Sequence, residues 1–257
     1  MTPQQMFIAY KTIVIREVLR FSRIWLQTII PPVITTTLYF VIFGNLIGPR
    51  IGDMAGVPYM DYIVPGLIMM AVITNSYANV VSSFYGSKFQ HNIEEMLVSP
   101  IPDYVIILGF VSGGTARGLV VGLAVTLVSL AFSQLQIHNL GILVSVVVLT
   151  AILFSLAGLI NGVYANSFDD ISIIPTFVLT PLTYLGGVFY SIRLLSDFWQ
   201  GVSLANPILY MVNTFRYGFL GISDISLVTS FIIISVFILT LYLFALYLLK
   251  AGYGIRK

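Results

Sequence analysis

An all-α integral membrane protein with six transmembrane helices is the fold this sequence predicts, and three observations predict it. Of the 257 residues, 58% are hydrophobic and only 9% are charged, against about 45–50% and about 25% in soluble domains. Six apolar runs reach the roughly 20 residues that a helix needs to cross a bilayer. Both ends of the chain are basic, which demands an even number of crossings when positive residues stay inside. So few charges cannot coat a water-facing surface, so most of the chain faces lipid or other apolar helices. The net charge of +2 is no basic excess of the kind that binds nucleic acid. The absence of cysteine removes disulfides, thiolate metal sites and cysteine nucleophiles.

The elements follow in order. Residues 3–23 carry Lys11, Arg16, Glu17, Arg20 and Arg23 spread along the segment, without the short apolar block and small-residue cleavage site of a signal peptide. At about 100° per residue, Gln5, Thr12, Arg16, Arg20 and Arg23 share one arc, and Phe7, Tyr10, Val14, Val18 and Phe21 lie opposite. This pattern predicts an interfacial amphipathic helix along the inner membrane surface. A charged leader to the first span is the alternative. The spans are residues 25–47, 62–84, 104–132, 140–164, 171–190 and 227–249. The third is long enough to tilt. Pro31-Pro32, Pro65, Pro175 and Pro181 fall inside spans, where each frees a backbone carbonyl and permits a kink. In residues 191–226, two short aromatic-rich stretches meet at Asn206-Pro207. Neither half is long enough to cross, which predicts a re-entrant hairpin on the outer side.

With both termini inside, Lys11, Arg16, Arg20, Arg23, Lys88, Lys250, Arg256 and Lys257 fall on the inner side. Arg50, Arg193 and Arg216 fall outside, and Arg117 lies within the third span.

Several chemistries lack their residues. The spans contain one charged residue, Arg117, and no carboxylate, which disfavours a proton- or sodium-coupled carrier. Asp169-Asp170 lies at the inner mouth between spans four and five, where it reads as a solvated turn. His91 and His138 sit in loops on opposite sides and cannot form a metal pair. No nucleophile elbow occurs. None of the four lysines lies in the Gly-x-x-x-x-Gly-Lys-Ser/Thr context that cradles nucleotide phosphates. The chain therefore binds no cofactor by these routes, and ATP-powered transport would need a separate ATPase polypeptide.

Three features remain. In the inner loop 88–99, Phe89, Ile93, Met96 and Leu97 recur on one helical face beside Glu94 and Glu95, and Pro100 and Pro102 stop the helix. Such a helix either docks into a groove on a soluble partner or packs on its own bundle. Glycines four apart (Gly109 and Gly113; Gly114, Gly118 and Gly122; Gly158 and Gly162) allow close helix approach, within a subunit or between two. Arg117 adjoins this ladder near mid-membrane, where a guanidinium costs at least about 2.5–3.5 kcal/mol. It should therefore face carbonyls, a watery cavity or a polar substrate.

The run from Pro175 to Tyr190, followed by Asn206-Pro207 and Phe215-Arg216-Tyr217-Gly218, resembles the ABC-2 type permeases. Asn92-Ile93-Glu94-Glu95-Met96-Leu97-Val98-Ser99-Pro100 is similar to their cytosolic coupling segment, and the resemblance spans essentially the whole chain as one transmembrane domain. It implies a half-transporter of the bacterial inner membrane. Two copies would pair, and two separate ATPase subunits, which bind the ATP, would dock on the inner face. It implies outward movement of an amphipathic, lipid-like or saccharide-like substrate. The ATPase contact then falls to Phe89, Ile93, Glu94, Glu95, Met96 and Leu97, and Arg117, Tyr184 and Phe189 become candidates for lining the route. The alternative is an ATP-independent homodimeric channel or secondary carrier. A neighbouring reading frame with a phosphate-binding loop separates the two.

Overall fold

The computed structural model describes residues 1–254; Arg256 and Lys257, assigned to the inner side above, lie outside the described residues. Apart from one 3-10 turn at Ile192–Leu194, ten helices order the described residues: α1 (Pro3–Arg23), α2 (Trp25–Ile51), α3 (Tyr59–Phe89), α4 (Asn92–Val98), α5 (Asp103–Ser129), α6 (Leu140–Tyr164), α7 (Asp170–Leu185), α8 (Asp197–Leu204), α9 (Pro207–Leu220) and α10 (Leu227–Ala251). A two-residue Ala55-Gly56 turn with positive φ at both positions joins Asp53–Met54 to Val57–Pro58 in a minimal hairpin.

Among the described residues, five helices are long and apolar enough to cross a membrane: α2, α3, α5, α6 and α10. The expected fifth span, 171–190, differs. Its helix α7 has 16 residues and stops at Leu185, reaching roughly 24 Å at 1.5 Å per residue against a hydrocarbon core of about 30 Å. The cause is Gly186-Gly187. Gly187 adopts φ +71° and turns the chain so that Val188 packs on Gly66 of α3. The expected third span, α5, also ends earlier than expected, at Ser129, and the expected first span, α2, runs on to Ile51.

α1 starts on a capping box. The Thr2 side chain accepts from Gln5 N–H, and Gln5 Oε1 accepts from Thr2 N–H at 2.9 Å. The helix packs along α5, with Ile13, Glu17 and Phe21 buried and Phe7 exposed. The bundle-facing side is thus rotated from the expected arc, because Gly109 and Gly113 of α5 open a notch that admits the Ile13 and Glu17 side chains.

Lipid is as apolar as leucine, so close packing rather than water exclusion holds such helices together. α3 is the central pillar, buried along most of its length against α5, α6 and α9. Gly114, Gly118 and Gly122 of α5 and Gly158 and Gly162 of α6 all face it, so these ladders serve packing within the subunit. The buried apolar residues form two clusters. One gathers Phe40, Tyr62, Leu67, Val121, Met211 and Phe215, and the other Ile13, Phe84, Ile93, Phe110, Leu159 and Leu248.

Candidate functional site

The loop end of the bundle carries the first candidate surface. α3 runs on to Phe89, so Lys88 and Phe89 belong to it and not to the short helix that follows. His91 breaks the chain in the left-handed region at φ +62°, and α4 begins at Asn92. The amphipathic face is real, but it turns inward. Ile93 is fully buried in the core, and Met96 and Leu97 pack partly against the same cluster. Of the two arrangements open to this helix, packing on its own bundle is the one Ile93, Met96 and Leu97 adopt. What the helix offers outward is Glu94, Glu95 and Val98, the last 88% exposed. Beside them, Phe89 stacks edge-on against Phe168 at 5.3 Å, and Phe168 meets Tyr85 at 4.9 Å. The Lys88 ammonium donates to the Val163 and Ala165 carbonyls at 2.8 and 2.7 Å, which ties this corner to α6.

The second feature is a polar column on α3, which the sequence reading missed. Asn75, Asn79 and Ser83 recur every fourth residue and so share one face. Arg117 donates to Asn75 Oδ1 at 3.3 Å. Arg20 of α1 donates to the Asn79 carbonyl and to Asn79 Oδ1, both at 2.8 Å. Ser83 donates to Glu17 Oε1 at 2.7 Å. Glu17 is fully buried and ion-pairs with Arg16 at 3.3 Å and Arg20 at 3.4 Å. The arginines of α1 are therefore partly turned into the protein. Helix periodicity does not show this, because it places Arg16, Arg20 and Arg23 on one arc without saying what that arc faces.

The third feature lies further along the same bundle. A groove of about 290 Å³ between α2 and α3 runs from Asn75 past Pro31 and Pro32 to Tyr39. At the Tyr39 end four rings cluster. Tyr39 meets Phe189 at 5.8 Å, Phe43 meets Phe189 at 4.9 Å, and Tyr184 stacks on Phe189 at 5.6 Å. The hydroxyls of Tyr39 and Tyr184 lie 3.4 Å apart. The helices that supply Tyr39, Phe43 and Tyr184 both contain π-turns, at Phe40–Ile47 and Pro175–Leu179, a distortion common at functional sites. Arg117, Tyr184 and Phe189, named together from the sequence, do not line this groove themselves: Tyr184 and Phe189 touch Tyr39 at one end of it, and Arg117 bonds Asn75 at the other.

Arg216, counted above among the outer-side charges, is 1% exposed. Its Nε donates to the Tyr62 carbonyl at 3.2 Å, its Nη2 donates to the Gly187 carbonyl at 2.7 Å, and the guanidinium stacks 3.9 Å over the Tyr62 ring. It locks α9 to the start of α3 and to the turn that ends α7.

Comparison with known proteins adds to this geometry. Residues 8–220 match the sequence model of the family described as ABC-2 type transporter. The inner membrane transport permease YadH of Escherichia coli (strain K12) is 63% identical over 250 residues, covering 97% of this chain and 98% of that protein. Nodulation protein J of Neorhizobium galegae is 22% identical over 193 residues, 74% of each chain. Nodulation protein J of Rhizobium meliloti is 21% identical over 207 residues, 80% of this chain and 79% of that protein.

Proposed function

The chain belongs to the ABC-2 type transporter family, as a multi-pass inner-membrane transport permease, and from this premise we propose that it is the membrane-spanning half of an ATP-driven exporter. Two copies pair, and two copies of a separate ATPase dock on the inner face and bind the ATP. The substrate is an amphipath with a lipid-like or saccharide-like body, moved outward along the groove between α2 and α3. Tyr39, Phe43, Tyr184 and Phe189 supply aromatic faces for it, and Arg117 supplies a cation at the other end. The observation that carries the ATPase assignment is α4. Its apolar side is fastened to the bundle while Glu94, Glu95 and Val98 stand free on the loop side, so a push on this short helix passes into α3. Co-expression with the partner ATPase tests the reading. A detergent-stable complex with two copies of each chain is expected, and no ATP hydrolysis by the permease alone. If the permease never engages an ATPase, the homodimeric channel or carrier remains.

In this reading the chain crosses six times, with both termini cytoplasmic. α7 makes the fifth crossing, with its shortfall made up by the chain on either side of it, and α8 and α9 re-enter from outside. Because the protein has no cysteine, single-cysteine variants need no background removal. Ser167→Cys should react with an impermeant maleimide only from the cytoplasm, and Ser196→Cys only from outside. Reaction of both from the same side would remove the fifth crossing.

A further inference from the structure

We infer that the cavity between α1 and the loop end of α3 is a binding site for the net-anionic phosphate headgroup of an inner-leaflet amphipath. The inference deepens the exporter reading, on which it rests for placing this face at the inner leaflet, and it gives the substrate a phosphate headgroup whose negative charge no choline-like cation balances.

The cavity measures about 680 Å³, and Arg16, Arg20 and Arg23 line it together. They recur at three- and four-residue spacing along α1, so they project from one side of the helix. Two of the three are held in place from behind. The Arg16 guanidinium sits 5.3 Å from the Phe110 ring centre, and Arg20 is fixed by its two bonds to Asn79. Glu17 lies between them, and Gly113 gives it the room to be fully buried. A buried carboxylate flanked by two guanidinium groups orients them without cancelling them. The lining contains three arginines and one glutamate and no other ionisable side chain, a net charge of +2. Within this site the buried Arg20 Nε and Glu17 Oε2 lack a hydrogen-bond partner among the described residues. Pre-oriented guanidinium forks match the geometry of phosphate oxygens, which accept paired N–H bonds.

The rim identifies what the phosphate is attached to. Ile15, Leu19 and Ile24 line the same cavity and are 46%, 48% and 43% exposed. A soluble anion gains nothing from three exposed aliphatic side chains, whereas an acyl or prenyl chain lies along them. Basic pockets between helices on the cytoplasmic side are the setting in which anionic headgroups bind. From here the column Ser83, Asn79, Asn75 leads along α3 to Arg117 and the groove, so a bound headgroup sits at the start of a polar path.

The test is native mass spectrometry of the purified full-length permease in a neutral detergent, titrated with phosphatidic acid or phosphatidylcholine. Phosphatidic acid should be retained at least tenfold better than phosphatidylcholine. The Arg16→Gln/Arg23→Gln double variant should lose that preference by tenfold or more. Arg23→Gln alone, at an exposed position, should weaken it in the same direction without disturbing the fold. Sodium phosphate at the lipid's concentration should leave the lipid in place. Equal retention of the two lipids would overturn the proposal, as would wild-type retention by both variants. Displacement by free phosphate would overturn its lipid part. The assay contains no ATPase, so the exporter reading can fail while lipid preference stands, and lipid preference can fail while the ATPase still co-purifies.

Discussion

Gly158→Leu should abolish accumulation of the folded permease. A Cβ at this position would sit 2.5 Å from the backbone carbonyl oxygen of Tyr77, inside any normal contact. The obstacle is main chain in the middle of α3, so no side chain can swing aside. α6 and α3 must separate along their shared face, and every contact that depends on the Gly158 and Gly162 approach loosens with them. Overpacking a well-filled interior typically costs about 1–3 kcal/mol, and a leucine driven against backbone should exceed the upper end. In a bilayer the helices stay inserted but lose the packing that joins them. The expected result is insertion at wild-type level, aggregation on detergent extraction, and no monodisperse peak in size-exclusion chromatography. Gly201→Ala is the control. Nothing lies within 4 Å of a Cβ there, and alanine in a helix is favoured over glycine by about 1 kcal/mol. A monodisperse Gly158→Leu protein would show that α3 and α6 do not approach as described.

Arg216→Ala should lower thermal stability by the second-largest amount. The substitution removes two charge-assisted hydrogen bonds, leaves the Gly187 carbonyl without its guanidinium donor, and opens a void beneath Tyr62. A hydrogen bond to a charged group is worth about 1.5–3 kcal/mol. Large-to-small changes in a core add about 2–5 kcal/mol, and part of the sum is returned because the guanidinium no longer pays for burial. The net expectation is a loss of about 2–4 kcal/mol, read as a fall in the melting temperature of the detergent-solubilised protein. Arg216→Met keeps most of the volume and should recover about half of that loss. Arg216→Lys keeps the charge but cannot serve Tyr62 and Gly187 with one planar fork, so it should resemble alanine more than methionine. An unchanged melting temperature in Arg216→Ala would mean that the arginine does not join α9 to α3.

These residues mark what the sequence disclosed and what it withheld. Hydrophobic runs located α2, α3, α5, α6 and α10, because twenty apolar residues allow few other structures. The break between α8 and α9 was legible in Asn206-Pro207: Asn206 caps α9 through Ile208 N–H and donates to the Leu182 carbonyl at 2.6 Å. The early end of α7 was not legible, since Gly186-Gly187 lies within an apolar run that reads as membrane throughout. Periodicity found the amphipathic face of α4 but could not say which way it points. The burial of Glu17 and Arg216 was not legible, because one-dimensional charge counts cannot see the partners that make burial tolerable: two arginines and a serine for Glu17, two carbonyls and a ring for Arg216. Tyr184 and Phe189 were named with Arg117, but their common groove depends on Tyr39 and Asn75, which no motif singled out.

The central claim is that a separate ATPase drives this permease through the loop-side face of α4, and retention of that ATPase on purified permease tests it most directly. Wild-type permease should hold the partner, in a complex that hydrolyses ATP while the isolated chain does not. In the Glu94→Lys/Glu95→Lys/Val98→Asp variant, all three changes fall on exposed side chains, so the permease should stay folded. Solvated charges alone contribute at most about 1 kcal/mol each. Combined with loss of the Val98 contact, the change should exceed about 1.4 kcal/mol, which is one decade of affinity. Retention falling at least tenfold at equal permease level is the predicted result. Wild-type retention by this variant, or steady ATP hydrolysis by the isolated chain after contaminating ATPases are excluded, would contradict it.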